Sequence, residues 1–69
     1  MTLEQARDLA RDASQSGGVI VIARNPLRDL RGDDNFVVAT RMTYDREVAL
    51  GALPQGSLVE TWKDGVRQE

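Results

Sequence analysis

Alternation within three short β-branched runs constrains this chain more than any other feature. In residues 19–24, 36–42 and 58–63, side chains at every second position share one face of a strand. One face collects Ile20, Ile22, Phe36, Val38, Met42, Leu58 and Trp62. The other collects Val19, Val21, Val37, Ala39, Val59 and Thr61. The first set is bulky and the second small, but both are apolar, so both faces of the sheet need a cover. A single amphipathic helix covers one face, naturally the bulky one. Glu60 is the misfit, because it falls between Leu58 and Trp62 on the bulky face; a bulge or an edge position there would reconcile it.

The helix is expected over residues 3–15. Thr2 followed by Gln5 is a capping-box pattern, and Leu3, Ala6, Leu9, Ala10 and Ala13 recur at helical spacing. Glu4, Arg7, Asp8, Arg11 and Asp12 fill the outer face, with Glu4/Arg7 and Asp8/Arg11 as i,i+3 pairs, and Gly17-Gly18 offers a left-handed stop. Residues 45–53 read as a short helix capped by Asp45 and ended by Gly51 and Pro54, or as a strand over 46–50; the helix is the preferred reading. Such a helix would serve as a crossover or as the second cover. Without it, a homodimer through the Val/Ala face would close the sheet. Asp64-Gly65 marks a turn, followed by a last strand or a tail over 66–69. The expected fold is α+β in one domain, 1–69: an N-terminal amphipathic helix on a small, mainly antiparallel three-stranded sheet, with short helical turns in the connections.

A 69-residue chain buries only about 60% of the surface its unfolded form exposes. Cysteine and histidine are both absent, which removes disulfides and makes a zinc site improbable. The same absence removes the usual neutral-pH proton shuttle and the thiol nucleophile, and the three serines have no partner base. No catalytic residue, cofactor, metal or small-molecule substrate is expected. The longest apolar run, 19–23, has five residues, far short of the roughly 20 that span a bilayer. The charged opening MTLEQARDLARD does not resemble an export signal, so a cytoplasmic location is expected.

Nine basic and eleven acidic residues give a net charge of −2 with the two signs mixed. A dedicated DNA binder would gather its cations on one face. The stretch RNPLRDLRGDDN, 24–35, concentrates both signs between two strands. Asn25 as N-cap, Pro26 at the first helical position, Leu27 and Leu30 three apart, and Gly32 past the end describe one capped helical turn. Its aspartates lack the alternate oxygen ligands and closing glutamate of a calcium loop. The surface this leaves for a protein partner comprises Arg28, Asp29, Arg31, Asp33 and Asp34, joined by Arg41 and Tyr44. The competing reading is a small nucleic-acid-binding accessory protein, with Arg24, Arg28, Arg31, Arg41 and Arg46 as backbone contacts and Tyr44 as a stacking ring, a mixture that single-stranded nucleic acid favours. Asp29, Asp33, Asp34 and Asp45 are interleaved with those cations, so direct nucleic-acid binding is disfavoured.

The helix-first layout and the stretch NFVVATRMTYDREVALGALPQGSLVETWKDGVRQE resemble the very small phage or mobile-element proteins that act as anti-CRISPR inhibitors of type I systems. The resemblance is one of general build, without a shared motif. It implies a non-enzymatic protein that binds a subunit surface of the crRNA-guided Cas complex and blocks recognition of target DNA. Members that mimic DNA are much more acidic than this chain.

Overall fold

The computed structural model of the chain describes residues 1–25 and 35–68. In chain order the elements are α1 (Leu3–Ser14), β1 (Ile20–Arg24), β2 (Phe36–Thr40), α2 (Arg41–Ala49), β3 (Leu58–Lys63) and β4 (Val66–Gln68). The strands form one antiparallel sheet in the order β2-β1-β3-β4. The α+β class agrees with the sequence; the sheet has four strands instead of three, because residues 66–68 pair with β3 beyond the Asp64-Gly65 turn.

The capping box at α1 forms as its spacing requires: Gln5 N–H donates to Thr2 Oγ1 at 3.2 Å, and Thr2 N–H donates to Gln5 Oε1 at 3.0 Å. Gly17, with φ of +94°, ends the helix in the left-handed conformation that a side chain would resist. β1 is central and its residues Ile20 to Ala23 are all buried. Each face of the sheet therefore has its own core. Ile20, Ile22 and Trp62 pack with Ala6 and Ala10 of α1, flanked by Phe36 and Val38. Val21 and Ala23 pack with Tyr44 of α2 and with Leu53, flanked by Val37, Val48 and Leu58. The small Ala6 and Ala10 let α1 approach the bulky face closely, while the larger Tyr44 fills space above the small one.

α2 is the second cover, packing Tyr44 over Val21 and Ala23 on the Val/Ala face. It begins earlier than its sequence suggests. Thr40, not Asp45, is the N-cap, and its hydroxyl accepts from Thr43 N–H at 3.1 Å. The strand thus stops at Thr40 and hands over to helix without a loop. Met42, expected on the bulky strand face, lies on α2 and is 74% exposed. Gly51 ends this helix with φ of +80°.

Leu58 also changes sides. Ile22 stands opposite Glu60 but Ala23 stands opposite Leu58, so the register slips at Val59. That bulge turns Leu58 into the Tyr44 core and leaves Glu60 and Trp62 toward α1. Leu9, expected on the buried stripe of α1, is 46% exposed. The stripe is centred instead on the fully buried Ala6, Ala10 and Ser14, with Leu3 partly buried beside them, a rotation that brings Arg7 over Glu60. The helical turn expected over 25–32 lies, beyond its cap Asn25, outside the described residues. No helix among the described residues is long and apolar enough to cross a membrane.

Candidate functional site

Two side-chain clusters stand out, and their chemistry separates them. The first surrounds Glu60, which is 8% exposed. Arg7 donates to it through Nε, at 2.9 Å to Oε2, and through Nη2; Trp62 Nε1 donates to Oε1 at 3.1 Å, and Arg67 Nη1 lies 3.5 Å from Oε2. The Arg7 hydrogen bonds hold the carboxyl below the usual glutamate range, aided by Trp62, against a smaller opposing effect of burial. In return, Arg7 is held above its ordinary value by the same contact. Arg11 stacks 6.0 Å from the Trp62 ring. A carboxylate this firmly ionised and fully engaged by donors is unsuited to proton transfer near neutrality. It closes the seam between α1, β3 and β4.

The second cluster is the outer surface of α2. At 3.6 residues per turn, Tyr44 and Val48 point into the second core, and the opposite side carries Met42, Arg46, Ala49 and Leu50 at i, i+4, i+7 and i+8. Met42 and Leu50, at 74% and 75%, are the most exposed large apolar side chains among the described residues. A surface helix normally confines its apolar residues to one stripe. This one has them on both sides, with Arg46 set between the two outward ones. Arg46 makes no side-chain hydrogen bond or ion pair among the described residues, whereas Arg41 holds Asp45 at 3.2 Å and covers the Tyr44 ring at 5.9 Å.

The contact residues expected from sequence divide accordingly. Arg28, Asp29, Arg31, Asp33 and Asp34 lie outside the described residues. Arg41 is exposed beside the α2 stripe. Tyr44 is 6% exposed and packs on Val21 and Ala23, its hydroxyl 3.4 Å from Ser57 Oγ; it is a core residue, and its ring offers no face for stacking. Met42 and Leu50 are missing from the contact residues expected from sequence, since a strand reading of 36–42 buries Met42 and a helix starting only at Asp45 shows no outward apolar stripe; Arg46 enters there only in the nucleic-acid reading. The one signal for them was Thr40 followed by Thr43, a weak helix start within a β-branched run.

No family model, curated protein or solved structure matches the chain.

Proposed function

We propose that the chain is a non-enzymatic protein-binding inhibitor of the anti-CRISPR kind, which occupies a subunit surface of a type I Cas surveillance complex and blocks recognition of target DNA. The observation that supports this reading is the outward stripe of α2. Two large apolar side chains that the protein's own core does not need are held in water on a rigid, capped helix. Exposed apolar groups rimmed by charge are characteristic of protein contact surfaces, where a few such anchors carry most of the binding energy. The choice of target rests on the resemblance of the chain's general build to small inhibitors of type I systems.

The test is a target-DNA binding assay with a purified type I surveillance complex, with and without the protein. The reading predicts that the protein co-elutes with the complex and suppresses binding of the DNA target, while showing no affinity for the free DNA. Capture of the free DNA with a steep salt dependence, and no association with the complex, would instead favour a nucleic-acid accessory role.

A further inference from the structure

Resting on that protein-binding reading, we infer that the outer stripe of α2 selects an acidic apolar protein groove, with Met42 and Leu50 as anchors and Arg46 as the charge that fixes the partner's chemistry. Three features of the surface lead there. Arg46 lies between the two anchors and has no carboxylate partner among the described residues. The nearest acidic group on the outer side, Asp45, is already held by Arg41 at 3.2 Å. Glu47, half-buried, sits on the flank away from the stripe. When the anchors enter an apolar groove, Arg46 is carried out of water with them. An unpaired buried cation is costly, so the groove must supply a carboxylate, which the planar guanidinium can take through two hydrogen bonds.

The same charge argues against two other occupants. A second copy docked face to face would bring the two Arg46 guanidinium groups together with no free carboxylate on either stripe to separate them, a like-charge contact that opposes self-association. A nucleic-acid backbone rewards several cations in a row. On this stripe, among the described residues, Arg46 stands without a second cation beside it and is framed by Met42 and Leu50, which gain little against phosphates.

Isotope-labelled protein titrated with two amphipathic helical peptides of equal length, one leucine/glutamate and one leucine/lysine, tests the inference by NMR. The leucine/glutamate peptide should shift the amides of Met42, Arg46, Ala49 and Leu50 and bind about tenfold more tightly than its counterpart. Arg46→Glu, at an exposed position with no side-chain partner among the described residues, should invert that preference. Equal affinity for both peptides, shifts confined to other elements, or displacement of the peptide from Arg46 by an oligothymidine strand would overturn the inference. So would a wild-type dimer, by sedimentation, that Arg46→Glu leaves intact and Met42→Ser dissolves. The functional reading fails separately. If the wild-type protein ignores the surveillance complex yet keeps its glutamate preference, the Cas target is wrong and the partner chemistry stands. If Arg46→Glu inhibits the complex undiminished while Met42→Ser does not, the acidic partner is wrong and the protein-binding role stands.

Discussion

Ser14 has no exposed surface, yet it is polar and sits at the last position of α1. Its hydroxyl donates to the Arg11 carbonyl at 3.1 Å and accepts from Gly65 N–H at 2.9 Å, tying the end of the first helix to the β3–β4 turn. Ser14→Ala would leave that N–H without a partner and should cost about 1 kcal/mol, read by chemical denaturation. Glu60 makes the larger electrostatic contribution. Its folded-state titration lies below the usual range because Arg7 and Trp62 hydrogen-bond the charged form. The stabilisation is therefore complete above the ordinary glutamate value of about 4.3 and is lost as pH falls through the lower folded-state value. Glu60→Gln should destabilise the protein by about 1–2 kcal/mol at neutral pH, and the gap from wild type should narrow as the solution is acidified below that range. A gap that widened in acid would contradict the assignment. These partners are hard to read from sequence because they lie 51 and 53 residues apart. The local pattern marks Glu60 as a misfit but gives no means of finding Arg7, whose i,i+3 neighbour Glu4 looks like the nearer partner.

At the scale of elements, α1 and β1 follow from local chemistry: a capping box, a 3.6-residue apolar period, and a β-branched run that begins after two glycines. The Asp64-Gly65 turn is equally local, since both residues take positive φ, 55° and 78°, as a tight hairpin demands. α2 was less legible because its inward residues, Tyr44 and Val48, and its outward ones, Met42 and Leu50, leave no single apolar stripe to recognise. What makes it a helix is Thr40 as a cap and the Val/Ala face beneath it, and the second cause is tertiary. The bulge at Val59 is tertiary too, since it is defined by the register against Ile22 and Ala23. If α2 is held mainly by Tyr44, truncation there should be severe. Tyr44→Ala should cost about 3–5 kcal/mol, enough to unfold much of so small a domain. Tyr44→Phe, which removes only the 3.4 Å contact with Ser57, should cost well under about 1 kcal/mol. Thermal unfolding of the pair separates a packing role from a polar one.

For the molecule as a whole, the two-sided sheet answers how a short chain without disulfides builds a core: β1 is buried on both faces and two helices of unequal size share the work. α1 contacts all four strands, while α2 contacts β1 and β2, so Val59 and Val66 remain exposed at 43% and 61% on the other half of the sheet. This layout spends α2 twice. Its inner side completes the core and its outer side presents Met42, Arg46 and Leu50, so the surface proposed for recognition sits on an element the fold cannot lose. The α+β class was readable from residue alternation, because alternation reports the need for cover. A contact surface is defined by side chains that fail to be covered, and that becomes visible only once the helix has a position. The most direct measurement compares the wild-type protein with the double variant Met42→Ser/Leu50→Ser for affinity to a type I surveillance complex, with thermal unfolding followed in parallel. The account predicts a loss of affinity of more than about tenfold with the unfolding temperature nearly unchanged, since both side chains stand in water and anchors of this type dominate interface energy. Undiminished affinity in the folded variant would contradict it.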